Sequence, residues 1–162
     1  MAQVQDNRGP GHRSSLADNA SALDVVSAYV AALAARDTAS MNALRSPAFA
    51  LDWVYADAFE DRPRSVAETK AFWPSWFAGF PEMDYEVTRT IAAERVVVVQ
   101  WTFTGTNSGP LDPPVFTSHR DPTDRTIQFR GVSIYDVIDG LIARETTYMD
   151  LATLMVELGI TL

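Results

Sequence analysis

Two carboxylates stand where an acid is costly unless it is used or paired. From Phe49 to Phe59 the residues alternate strictly, and Phe49, Leu51, Trp53, Tyr55, Asp57 and Phe59 fall on one side of an extended strand. Asp57 interrupts that aromatic face, which makes it a candidate general acid or base; the structural alternative is a solvated Asp57, or one paired with Arg62 or Arg64. Asp150 stands where a strand gives way to a helix. Facing an apolar cavity, its carboxyl would be desolvated, and the raised pKa would let it exchange protons near neutral pH. As the residue before a helix, it could instead satisfy an orphan N–H with the same oxygens. Tyr148, two residues earlier on the same strand face, is placed to orient Asp150 or a substrate.

Further polar candidates lie on the preceding strands. Gln100, Thr102 and Thr104 share one face of a strand whose other face is Val97, Val99, Trp101 and Phe103, and periodicity leaves open which face lines a cavity. Arg130, Ser133 and Tyr135 follow on the next strand, where Gly131 hints at a bulge that switches the inward face. Arg130 reads as an outward, solvated residue; set between Asp57 and Asp150 it would form an Asp–Arg–Asp group able to activate water against an epoxide. His119, on a Pro-rich loop, would titrate near neutrality and could reach a pocket as a lid residue or simply be exposed. Trp53, Tyr55, Trp73 and Trp101 offer faces on which a polycyclic substrate would stack.

Composition removes several classes of chemistry. The chain has 162 residues, and 21 acidic against 13 basic side chains give a net charge of −8, which opposes binding to nucleic acid or an anionic membrane. Lys70 is the one lysine, so amine nucleophiles are improbable, and the absence of Cys removes disulfides, thiolate nucleophiles and iron–sulfur clusters. With only His12 and His119 there are too few soft ligands for an ordinary catalytic zinc site, and no metal is expected. The opening residues are polar rather than signal-like and the longest apolar strand core, Val96 to Val99, falls far short of a membrane span, which reads as a cytoplasmic protein.

The elements that must position these groups are well marked. Residues 1–19 are polar and read as a flexible tail, leaving 20–162 as one domain. Ser21 and Asp24 resemble a capping box opening a helix that carries Val25, Val26, Tyr29, Val30 and Leu33 and ends near Asp37; a short helix from about Thr38 to Arg45 follows. After the alternating strand, Ser65 and Glu68 form a second capping box for a helix with an aromatic stripe of Phe72, Trp73, Trp76, Phe77 and Phe80, kinked at Pro74. Strands are expected over Met83–Ala92, Arg95–Thr106, Thr126–Ile138 and, after an Asp139-Gly140 hairpin turn, Leu141–Met149; a helix stopped by Gly159 ends the domain. Helices followed by strands predict an α+β domain with a curved, mostly antiparallel sheet, and the loop from Asn107 to Asp124, with four prolines, is long enough to cover a pocket.

Several short motifs then occur in order: Trp101-Thr-Phe-Thr-Gly105-Thr-Asn-Ser-Gly109, Pro122-Thr-Asp-Arg125, Gly131-Val-Ser-Ile-Tyr135, Asp139-Gly140-Leu-Ile142, Tyr148-Met-Asp150 and Leu158-Gly159. Together they resemble the SnoaL-like polyketide cyclases of the nuclear-transport-factor-2-like superfamily. The resemblance implies a conical, barrel-like α+β fold around a deep apolar cavity, no cofactor, a homodimer through the outer sheet face, and an acid/base role for Asp150. Where the family commonly has Pro-Thr-Gly-Arg this chain has Asp124, and Leu141 stands where many members carry Lys. Other proteins of this fold are isomerases, epoxide hydrolases, dehydratases or binding modules, so the fold alone does not fix the chemistry.

The function expected is cofactor-independent acid–base catalysis on a small but bulky hydrophobic carbonyl metabolite, an aldol-type ring closure or an isomerisation. Asp150 would move the proton while Tyr148 or Gln100 steadies the enolate oxygen. The alternatives are hydrolysis or dehydration with water activated by Asp57 or Asp150, and a non-catalytic ligand-binding or dimerisation module whose cavity is packed shut by Trp73, Trp76 and Trp101.

Overall fold

The computed structural model describes residues 20–54, 64 and 66–160. Helix α1 (Ala22–Ala34) opens on the expected capping box: Asp24 N–H donates to Ser21 Oγ at 3.2 Å, and Ser21 N–H donates to the Asp24 carboxylate at 3.0 Å. Its stripe of Val25, Val26, Tyr29, Val30 and Leu33 is buried. Helix α2 (Thr38–Ala43) is capped by Asp37 and is shorter than expected, because Arg45 already belongs to β1 (Arg45–Val54). Pro47 lies within that strand. β1 is an edge strand whose one strand partner among the described residues is β5, apart from a bridge between Leu51 and Arg64, so a missing N–H at Pro47 need not interrupt the sheet. The expected continuation of this strand to Phe59, with Tyr55 and Asp57, lies outside the described residues, as do Ser65 of the second capping box and the tail over 1–19.

Helix α3 (Val66–Gly79) runs through Pro74 and buries Phe72, Trp73 and Trp76. Strands β2 (Glu82–Ala92), β3 (Val96–Thr106), β4 (Thr126–Ile138) and β5 (Leu141–Met149) fall within a residue of their predicted bounds, and α4 (Leu151–Leu158) closes the fold. The five strands are ordered β1-β5-β4-β3-β2; only the β1–β5 pair is parallel. The Asp139-Gly140 connection turns with φ of 51° and 74°, the paired positive values of the tightest hairpin turn.

Register decides which side chains enter the core. β3 and β4 pair without interruption, so Val97, Val99, Trp101 and Phe103 face inward beside Ile127, Phe129, Ser133 and Tyr135. The expected bulge at Gly131 is absent. Gly131 stands directly opposite Trp101, and a Cβ there would lie 2.2 Å from the indole ring, so the glycine makes room for the ring rather than for a kink. The bulge lies instead in β5. Asp136 pairs with Arg144 and Val137 with Ile142, leaving Ala143 unopposed and reversing the face presented by every later residue.

Candidate active site

Because of that bulge, Ile142 and Glu145 are both buried, and Glu145, Thr147 and Met149 line an interior cavity beneath α3. Its aromatic walls are Trp53, Trp73, Trp76, Tyr85, Trp101, Phe103 and Phe129. Edge-to-face contacts fix the rings, with centroids 4.2 Å apart for Trp53 and Phe72 and 5.2 Å for Trp76 and Phe103. The cavity is small, about 30 Å³, room for one or two waters. Trp53, Trp76 and Met149 also line a larger vestibule of about 510 Å³, walled further by the 107–125 loop and α4.

Glu145 is 2% exposed and is the one buried carboxylate among the described residues. Tyr29 donates to its Oε2 at 3.1 Å, and Thr147 and Tyr135 donate to Oε1 at 3.2 and 3.4 Å. Burial pushes its carboxyl above the usual range for Glu; the Arg45 guanidinium, which donates to the Tyr29 hydroxyl, and the three hydroxyl donors pull the other way without reversing that. Burial and the nearby Glu145 charge raise Tyr29, Tyr85 and Tyr135 well above the ordinary phenol value, so all three stay neutral donors. A second set of bonds approaches from the sheet: Trp101 Nε1 to Ser133 Oγ at 3.0 Å, and Ser133 Oγ to Thr147 Oγ1 at 2.8 Å. Indole N–H can only donate, and Thr147 gives its single proton to Glu145. Ser133 therefore donates to Thr147, and the whole chain is polarised toward the carboxylate.

Four of the residues singled out from sequence, Trp53, Trp73, Trp101 and Ser133, meet in this cavity. Asp150 does not. It is the N-cap of α4, its carboxylate accepting from Thr153 N–H at 3.0 Å and Thr153 Oγ1 at 2.7 Å, and those bonds hold its pKa below the usual Asp value. Tyr148, half exposed, and Gln100 lie with Asp150 and Arg130 around a groove of about 450 Å³ on the opposite sheet face; the Ala143 bulge turns Tyr148 outward, and alternation along β3 and β4 does the same for Gln100 and Arg130. They cannot steady an enolate held by Glu145. His119 is exposed on its loop, bound at 2.6 Å to Asp112, which raises its pKa, and it lines none of these cavities. Among the described residues no three His, Asp or Glu side chains gather where a metal ion could sit.

The sequence profile of the SnoaL-like polyketide cyclases matches residues 23–158. The chain belongs to that family. No curated protein matches it in sequence. Among solved structures, AclR from Streptomyces galilaeus, provisionally assigned as a hydroxylase, is 22% identical with a TM-score of 0.72 over 85% of this chain and 80% of its own. IdmH from Streptomyces antibioticus, provisionally assigned as a polyketide cyclase, is 22% identical with a TM-score of 0.68 over 86% and 99% of the two chains. A SnoaL-like protein from Jannaschia is 18% identical, with a TM-score of 0.68 over 94% and 100%. These likenesses show the fold, a curled, mostly antiparallel sheet with helices on it. No helix among the described residues is long and apolar enough to cross a membrane.

The SnoaL-like motifs of this chain have structural reasons. Asn107 is fully buried and pins the base of the long loop: its Nδ2 donates to the Gly79 and Gly109 carbonyls at 3.1 and 2.8 Å, and its Oδ1 accepts from Thr123 N–H and Oγ1 at 2.9 and 3.0 Å. Asp124 has φ of 55°, a left-handed conformation that Gly adopts without steric cost and Asp tolerates. Arg125 reaches the C-terminus of α4, donating to the Glu157 carbonyl at 3.2 Å. Gly159, with φ of 74°, leaves room for it, since a Cβ would lie 2.8 Å from the guanidinium carbon.

Proposed function

We propose that this SnoaL-like protein is a cofactor-independent acid–base enzyme acting on a bulky apolar carbonyl metabolite, with Glu145 as the proton-transferring group and a polyketide-type aldol cyclisation or isomerisation as its reaction. One observation carries the reading: the one buried carboxyl among the described residues, raised by desolvation and held by three hydroxyl donors, in an aromatic cavity that shares a wall with a ligand-sized vestibule. A carboxylate of raised pKa is a better base toward a C–H flanked by carbonyls, and the same group returns the proton after ring closure. Trp73 lines the cavity, and its Nε1–H has no acceptor among the described residues, so it is a donor left for the enolate oxygen. The substrate body occupies the vestibule, and only its reacting edge passes Met149, whose unbranched chain moves readily.

The small inner cavity favours a second reading, a binding module in which the aromatic residues are core. Deuterium exchange separates the two. Anthrone incubated in D₂O with the protein should lose its C–H signal at a rate that falls about 10²–10⁴-fold in Glu145→Gln and is unchanged in Asp150→Asn. No exchange above buffer would favour the binding module, and exchange that ignores Glu145→Gln would remove Glu145 from the role. Asp57 is a second carboxylate for this role, and Asp57→Asn belongs in the same assay.

A further inference from the structure

The vestibule is apolar with one exception in its chemistry. Pro113, Pro114 and Phe116 on the loop and Leu154 and Met155 on α4 supply apolar wall, while its charged described residues are Arg64 and Arg120, with no Asp or Glu among them. On a chain of net charge −8, an apolar pocket carrying only cationic charge among its described residues needs a reason.

Arg120 supplies one. Its main chain is fixed by a two-way pairing with Leu111, Arg120 N–H donating to the Leu111 carbonyl at 3.1 Å and Leu111 N–H to the Arg120 carbonyl at 3.0 Å. The guanidinium carbon sits over the Phe116 ring, 5.1 Å from its centroid, so the side chain is held at a vestibule wall. Its Nε is buried without an acceptor among the described residues. The acids nearest in sequence are turned elsewhere: Asp112 and Asp121 both face the ring nitrogens of His119, at 2.6 and 3.4 Å. A guanidinium presents donors in a rigid fork that suits a planar anion, and leaving a buried donor unmet is costly.

We propose that Arg120 is the anion-binding residue of the vestibule and that the ligand is an extended, planar apolar molecule bearing a carboxylate at the end remote from its reacting ketone. The apolar body lies between the loop and α4, the carboxylate meets Arg120, and the neutral ketone end points past Trp53, Trp76 and Met149 toward Glu145. This rests on the vestibule being the entrance to the Glu145 cavity, but the binding preference itself does not need turnover.

Anthraquinone-2-carboxylate and its methyl ester are matched probes, and quenching of tryptophan fluorescence reads their binding, since Trp53 and Trp76 line the vestibule. The acid should bind about tenfold or more tightly than the ester, the worth of one charge-assisted hydrogen-bonded pair. Arg120→Gln should remove that preference by weakening the acid while leaving the ester within about twofold, and Arg120→Lys should restore part of it. Glu145→Gln should keep the preference intact. Equal binding of acid and ester to the wild type, a comparable loss of both in Arg120→Gln, a preference removed by Arg64→Gln instead, or no binding of either probe would each overturn the assignment. The wild-type comparison stands even if a variant folds poorly. A preserved acid preference without Glu145-dependent proton exchange would leave Arg120 assigned and remove only the catalytic reading.

Discussion

Replacing Gly131 with Ala tests whether the sheet is shaped around Trp101. The added Cβ would lie 2.2, 2.5 and 2.8 Å from three carbons of the indole ring, distances at which something must shift. The ring has little freedom to yield, being 6% exposed and in contact with Tyr85 and Phe129 at centroid distances of 5.3 and 5.7 Å. Overpacking by one methyl costs about 1–3 kcal/mol. Displacing the indole also breaks its 3.0 Å bond to Ser133, leaving a buried N–H unmet, which adds about 1 kcal/mol or more. The sum is about 2–4 kcal/mol, or roughly 5–15 °C in melting temperature for a domain of this size. Urea unfolding followed by tryptophan fluorescence reads the loss. Because the Trp101–Ser133–Thr147 chain ends on Glu145, proton exchange should slow as well. A cost below about 0.5 kcal/mol with unchanged exchange would refute both the steric reason for the glycine and the claim that the chain positions the carboxylate.

Two further outcomes follow from the same contacts. Asn107→Ala leaves two carbonyls and the Thr123 donors without their buried partner and should cost about 2–4 kcal/mol, with faster hydrogen exchange over the 107–125 loop; Asn107→Asp, which sets a carboxylate oxygen against the two carbonyls, should cost at least as much. Glu145→Gln should alter how stability depends on pH. With its pKa raised on folding above the ordinary 4.5, Glu145 binds a proton more tightly in the native state, so its contribution is favourable at low pH and is lost as pH rises through the native value. Glutamine carries no such dependence, so the melting temperature of the variant should gain on the wild type between pH 5 and pH 8. A difference that stays constant with pH would contradict the raised pKa.

The strands, the capping box of α1, the Asp139-Gly140 turn and the α+β order were legible because each follows from local spacing: alternation, cap residues and turn residues act over a few positions. The aromatic stripe that carries Trp73 was legible too, whereas Trp101 sits on one of two β3 faces between which periodicity does not choose. Glu145 was not legible. Leu141–Met149 divides into Arg144, Thr146 and Tyr148 on one parity and Glu145, Thr147 and Met149 on the other, and neither set is more apolar. The single unopposed residue at Ala143 chooses between them, and it is set by pairing with β4 and the β1 edge rather than by the strand's own residues. The same slip explains why Tyr148 lies on the far face from the cavity, whereas Gln100 is turned away by the plain alternation of β3, whose Val99 and Trp101 face inward. Asp150 carried two readings that spacing could not separate, and its bonds to Thr153 decide for the cap.

The most direct test of Glu145 as a desolvated acid–base group is a carboxyl NMR titration of protein carrying ¹³C-labelled glutamate, with Glu145→Gln to assign the resonance. The expected result is a midpoint displaced clearly upward from the ordinary Glu value of 4.5, while Asp150, labelled likewise through aspartate, titrates below its ordinary 3.8. A Glu145 midpoint at or below 4.5 would contradict the account, because a carboxylate kept ionised by Tyr29, Thr147 and Arg45 would be a structural anchor rather than a proton carrier.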